Sequence, residues 1–119
     1  MQFNILIVDD SKFDIIVLMD MIEKLGHIVI GEAKDGKEAI NKYFKLLPDV
    51  VFMNLLMPVM NGIEAMNFIL ENDPEANIIV TSSFSEKEYV KEAILNGAKD
   101  FLAIPIKKEK LKEVLEKLK

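Results

Sequence analysis

The chain has no cysteine and no arginine, only one histidine, and five glycines that never cluster. Without cysteine there is no disulfide framework and no thiolate metal centre, which fits a reducing compartment. One histidine, His27, builds no metal site and is expected at the surface. All 15 basic residues are lysine and the net charge is −5, so direct binding of nucleic acid is not expected. Scattered glycines leave neither a G-x-G-x-x-G turn nor a Walker loop, which argues against a nucleotide-dependent enzyme. No apolar stretch approaches the roughly 18 residues of a membrane span. The amino-terminal run Ile5-Leu6-Ile7-Val8 passes straight into Asp9-Asp10 and is not a signal peptide. A soluble, cytoplasmic, non-enzymatic protein with no membrane contact is the expectation.

Half of the 119 residues are hydrophobic, enough for the core of one domain over residues 1–119 and too few for two. Five short apolar runs begin at Ile5, Ile28, Val50, Ile78 and Phe101. They are continuous rather than alternating, as in strands covered on both faces. Helical spacing fills the intervals. Ile15, Leu18, Met19, Ile22 and Leu25 form one stripe; Ile40, Tyr43, Phe44 and Leu47 form another. Gly62–Asn72 carries Ile63, Met66, Phe68, Ile69 and Leu70. Val90, Ala93 and Ile94 open a fourth helix, and Leu111, Val114, Leu115 and Leu118 mark a fifth. Ser11 with Asp14, and Ser85 with Glu88, have capping-box spacing. Gly26 and Gly97 stand where helices should stop, and Pro48 and Pro74 fall in connections. The alternation predicts an α/β fold: a flavodoxin-like, doubly wound (βα)5 domain with a five-stranded parallel sheet of order 2-1-3-4-5.

In that order the switch point lies between strands 1 and 3, so the loops after them share a crevice. Asp9 and Asp10 would then face Asn54, at the end of the third apolar run. Aspartates after a strand also serve as caps and turn formers. At a switch point, two carboxylates make a hard, oxygen-rich site suited to Mg²⁺. Ser82 ends the fourth strand, where its hydroxyl could serve an anionic oxygen or simply close a strand. Thr81 is one residue out of phase and should point to the other face. Ile104-Pro105 ends the fifth strand with a bond able to adopt the cis form.

Taken together, ILIVDDS at 5–11, M-x-L-L-M-P-V-M-N-G at 53–62, IIVTSS at 78–83 and GAKDFLAIPI at 97–106 resemble the receiver domain of two-component response regulators. The resemblance is to the single-domain, chemotaxis-regulator form and covers essentially the whole chain. It implies Mg²⁺ held by Asp9 and Asp10, a third side-chain contact at Asn54 and a backbone carbonyl contact at Leu56. It further implies a phosphorylation-reporting hydroxyl at Ser82 and a switching aromatic at Phe101. A sensor histidine kinase or phosphotransfer protein is the implied partner upstream. A downstream protein target would meet the face formed by the fourth helix, fifth strand and fifth helix. Phe13, Ile16 and Val17 lie beyond the core stripe of the first helix and offer either a kinase-docking surface or a broader core face. The sequence stops with the fifth helix, so no output domain is expected.

Two departures alter the chemistry. The family accepts phosphate on an aspartate where this chain has Asn54, and it places a lysine before the strand-5 proline where this chain has Ile104. Lys107 and Lys108 lie past the proline and are not replacements. An amide has no full negative charge and its nitrogen lone pair is delocalised, so it cannot attack phosphorus. Loss of the lysine removes a cation from the transition state. An acid and a base have gone together, so the formal charge of the site is unchanged and the fold should survive. Mg²⁺ should bind weakly. One reading is a phosphorelay receiver whose acceptor has been replaced by a near-isosteric amide. Another is a natural pseudo-receiver that binds partners without phosphorylation. A third, weaker reading is an enzyme of flavodoxin-like fold.

Overall fold

The computed structural model describes residues 1–83 and 86–119. Each apolar run is a parallel strand: β1 (Asn4–Val8), β2 (Ile28–Ala33), β3 (Val50–Asn54), β4 (Ile78–Ser82) and β5 (Asp100–Ala103). The sheet order is β2-β1-β3-β4-β5, as the alternation requires. Helices α1 (Lys12–Lys24), α2 (Gly36–Leu46), α3 (Gly62–Asn72), α4 (Lys87–Leu95) and α5 (Lys108–Lys117) follow the strands in turn.

The runs of β1, β3 and β4 are continuous because these central strands are buried on both sides, while the edge strands β2 and β5 are only partly covered. Ile5, Ile7, Val50, Phe52 and Ile79 share a core with Ile15, Leu18 and Ile22 of α1 and Leu111, Val114 and Leu115 of α5. Their neighbours Leu6, Val8, Val51, Met53, Ile78 and Val80 pack with Ala39 and Tyr43 of α2, Ile63, Met66 and Ile69 of α3, and Ala93 of α4. Strand alternation carries this division to the strand ends. Asp9, Asn54, Thr81 and Ile104 continue the α1/α5 side, and Ser82 continues the other.

Helix ends follow local chemistry. Ser11 Oγ accepts the Asp14 N–H at 3.2 Å, but the Ser11 N–H goes to Asp9 at 2.9 Å, so only one limb of the expected box is used. The complete box is at α3: Asn61 Oδ1 accepts the Glu64 N–H at 3.0 Å and Glu64 accepts the Asn61 N–H at 3.3 Å. Gly26 and Gly97 adopt φ of 91° and 120°, the left-handed stops expected of them. Ser85, proposed as a cap for α4, lies outside the described residues; Glu86 is the N-cap and makes no side-chain capping bond.

Four side chains leave the expected stripes, Ile94 of α4 among them. Leu47 is the left-handed C-cap of α2 (φ 49°) and 66% exposed, because the chain turns off the helix axis just before Pro48. Leu46 packs against the core in its place. Phe44 and Phe68 are partly exposed and meet edge to face, centroids 6.5 Å apart. Among the described residues, no helix is long and apolar enough to cross a membrane.

His27 is buried, contrary to the surface position expected for it. Its Nδ1 accepts the Phe3 N–H at 3.0 Å and its ring stacks on Phe3 with centroids 5.2 Å apart. A lone polar residue opening a strand carries no sign that a backbone donor will need it. Burial, then the charges of Lys119 and the amino terminus, lower its pKa below 6.5, with Glu116 opposing. Because the folded-state value is depressed, the neutral ring stabilises the fold fully above the unfolded value, and that contribution is lost as pH falls through the folded one. Urea denaturation from about pH 7.5 to about 5.5 should show falling stability, and His27→Phe should flatten that slope.

Candidate functional site

The register builds the crevice. β1 and β3 pair Val8 with Met53, so the next residues of each strand, Asp9 and Asn54, emerge side by side. β3 and β4 pair Asn54 with Thr81, and β4 and β5 pair Ser82 with Ala103. The Asp9 N–H reaches Ala33 O at 2.9 Å and the Ile104 N–H reaches Ser82 O at 2.9 Å, extending the ladder one step to the loops.

Asp9 is buried and Asp10 is exposed. Burial pushes the Asp9 carboxyl above its ordinary value, aided by the charges of Asp14 and Asp10; the Ser11 N–H and the Asn54 side chain pull it back. Asn54 Oδ1 accepts the Leu56 N–H at 3.1 Å. With Oδ1 engaged there, the amide nitrogen is the end left to face Asp9, whose carboxyl the Asn54 side chain helps to lower. The amide takes up, in part, the role a cation would have beside that carboxylate.

This orientation bears on metal binding. Two carboxylates and the Leu56 carbonyl are the oxygen donors a hard divalent ion prefers. The third side chain turns a donor toward Asp9, not a lone pair. Among the described residues no group of three acidic or histidine side chains could hold an ion; Asn54 stands where a third acid would complete one. The residues fit Mg²⁺ with a reduced donor set.

Ile104 joins Asp9 in the wall of a cavity of about 110 Å³ with Phe13, Val17, Thr81 and Pro105. The Ile104-Pro105 bond is cis. Apolar carbon stands where the resemblance implies an ammonium group. Thr81, set aside as out of phase, is buried in this wall beside Asp9. Ser82 is 1% exposed, but its hydroxyl donates to Glu86. Glu86 also accepts the Ser83 N–H at 2.7 Å and the Ser83 hydroxyl at 3.0 Å. Sequence reading did not single out Glu86, whose only signal was an acid four residues after the strand-end serine. Phe101 is half-buried against the α2/α3/α4 core, and with Pro105, Lys107 and Lys110 it lines a second cavity of about 370 Å³.

The loop into α3 carries local strain. Val59 has φ of 68° and is 80% exposed, although a β-branched residue strongly disfavours the left-handed region. Val59→Asn should raise stability by about 1 kcal/mol, measurable as an increased denaturation midpoint. Phe13, Ile16 and Val17 are 73%, 55% and 37% exposed; they form an open apolar face of α1 and are not part of the core.

Residues 5–116 match the family described as response regulator receiver domain. The chemotaxis protein CheY of Thermotoga maritima is 46% identical over 115 residues, covering 97% of this chain and 96% of that protein. Among solved structures, the CheX-CheY-BeF3-Mg complex from Borrelia burgdorferi contains a chain that superposes with a TM-score of 0.91 at 34% identity, covering 98% of this chain and 88% of that one. The response regulator domain of Thermotoga maritima CheB gives 0.86 at 38% identity, covering 99% and 94%.

Proposed function

The chain belongs to the response regulator receiver family, and we propose that it is a two-component receiver unable, as written, to accept phosphate. The carrying observation is the Asn54 amide at the acceptor position, beside Asp9 in the sheet register and accepting the Leu56 N–H. Residues 1–119 act as one receiver domain, in the cytoplasm, with no nucleic acid or membrane partner and no enzymatic turnover. The net charge of −5 without arginine supports the first exclusion.

Receiver domains bind Mg²⁺ in the phosphorylation site. Asp9, Asp10 and the Leu56 carbonyl would hold it here, with Asn54 contributing only if its amide turns. When bound, the ion supplies positive charge for phosphoryl oxygens. Around it, the Ser11 N–H and the Asn54 side chain partly offset the burial that disfavours the ionised Asp9 carboxyl, and Ile104 puts apolar carbon in the cavity wall beside it. Magnesium affinity should be weak but nonzero, at least about tenfold below that of the Asn54→Asp variant. Calorimetric titration of both proteins checks this, and equal affinities would count against it.

The apolar face of α1, at Phe13, Ile16 and Val17, is the proposed contact for a sensor histidine kinase or phosphotransfer protein. A downstream protein would meet α4, β5 and α5, where Phe101 is the proposed switching aromatic; the hydroxyl beside Asp9 and Asn54 is that of Thr81, while Ser82, which the resemblance implies for this role, turns to the other side of the sheet. A second reading, a phosphorylation-independent interaction module, is favoured by Ile104. One substitution at position 54 does not account for the missing lysine. Either way, acetyl phosphate with Mg²⁺ followed by intact-mass measurement should show no added phosphoryl group. A gain located at Asn54 would overturn the proposal.

A further inference from the structure

We infer that Glu86 is an internal anion that occupies the hydroxyl and amide donors of Ser82 and Ser83, tying the N-cap of α4 to the end of β4 without phosphate. The inference deepens the receiver reading and rests on it for the meaning of Ser82.

Three donors from two adjacent residues converge on one carboxylate oxygen. They are the Ser82 hydroxyl, the Ser83 N–H at 2.7 Å and the Ser83 hydroxyl at 3.0 Å. A backbone amide combined with hydroxyls is the donor set that recognises an oxyanion, and charge-assisted bonds of this kind are the strong ones. The donors lie just beyond Thr81, which pairs with Asn54 in the sheet. They therefore sit at the carboxyl edge of the sheet, one step past the crevice, with the Ser82 side chain on the α2/α3/α4 face. Glu86 is the residue that opens α4 and makes no bond to the helix's own amides, so its carboxylate is committed to the strand. Burial opposes its ionisation, yet the donors hold its carboxyl below the usual carboxylate range. The carboxylate thus ties the N-cap of α4 to Ser82, the last residue of β4, and to Ser83 just past it. Any free anion binding these same donors would have to displace it.

Amide exchange and a titration with inorganic phosphate, both followed by NMR at Ser83, test this on the full chain. In the unaltered protein the Ser83 amide should be protected and should not shift with phosphate. In Glu86→Ala it should exchange about tenfold faster or more, and the Ser82 and Ser83 amides should shift as phosphate is added. Amides of Ile7 and Phe52 report the intact sheet. If Glu86→Ala fails to fold, Glu86→Gln keeps an acceptor oxygen without the charge and should still gain the phosphate response. An unaltered protein that shifts as much as the variants overturns the inference, and so does an unchanged exchange rate in Glu86→Ala or a folded Glu86→Gln without the phosphate response. Asn54 is untouched in both variants, so these outcomes leave the receiver reading to its own phosphorylation test.

Discussion

Asn54→Asp together with Ile104→Lys should convert the chain from one that takes up no phosphate to one labelled by acetyl phosphate in the presence of Mg²⁺. The two substitutions do different work. The carboxylate at 54 supplies the nucleophile, without which no acceleration of any size produces a phosphoprotein. The lysine at 104 supplies positive charge for the transferring phosphoryl oxygens, and a missing group of that kind typically costs about 10²–10³ in rate. Asn54→Asp alone should therefore label slowly, Ile104→Lys alone not at all, and the double variant fastest. The geometry gives the lysine room, because Ile104 and Asp9 already share the wall of a cavity of about 110 Å³. Rate constants from intact-mass time courses check the ranking. Equal rates for Asn54→Asp and the double variant would show that the cavity does not deliver an ammonium group to the site.

Stability should follow a different order, with Asn54→Asp alone the least stable. Asn54→Asp replaces an amide that helps to lower the Asp9 carboxyl with a second negative charge against a carboxyl already disfavoured by burial. Without metal this should cost about 1–3 kcal/mol. Adding Ile104→Lys should recover much of the loss, since the pair is then restored as a pair. Mg²⁺ should stabilise Asn54→Asp more than the unaltered chain, because ligand binding to the folded state adds to stability in proportion to affinity.

The crevice was legible because its geometry follows from periodicity. Continuous apolar runs imply a sheet covered on both faces, the sheet order puts strands 1 and 3 together, and the pairing of Val8 with Met53 leaves Asp9 and Asn54 no choice but to adjoin. What escaped was whatever depends on a single side chain choosing among partners. His27 reads as a surface residue until the Phe3 N–H is found without a strand partner. Glu86 reads as a solvated acid until Ser82 and Ser83 turn their donors to it. Leu47 satisfied the helical period and still left the helix, because period says which face a residue would occupy and not where the helix ends.

Gly62→Ala should be among the most damaging single substitutions in the chain, for a reason unrelated to glycine's left-handed conformations. A methyl group there would stand 2.1 Å from the Asn54 carbonyl oxygen, 2.8 Å from Leu55 Cα and 2.9 Å from the Asn54 carbonyl carbon. All three are backbone atoms, so no side chain can swing aside. The Gly62 N–H also donates to Leu55 O at 2.8 Å, a bond that any separation of the two segments would stretch. The expected loss is about 3 kcal/mol or more, a fall in melting temperature of roughly 10 °C. Gly26→Ala is the control: its φ is 91° but nothing lies within 4 Å of the added carbon, so it should cost only about 1 kcal/mol. The two glycines thus separate the cost of strained backbone from the cost of lost space. Because the obstructed atoms belong to Asn54 and Leu55, Gly62→Ala should also weaken Mg²⁺ binding, whereas Gly26→Ala at the far end of α1 should not. If both variants melt alike and bind the metal alike, the close approach of the α3 amino terminus to β3 does not set the position of residue 54.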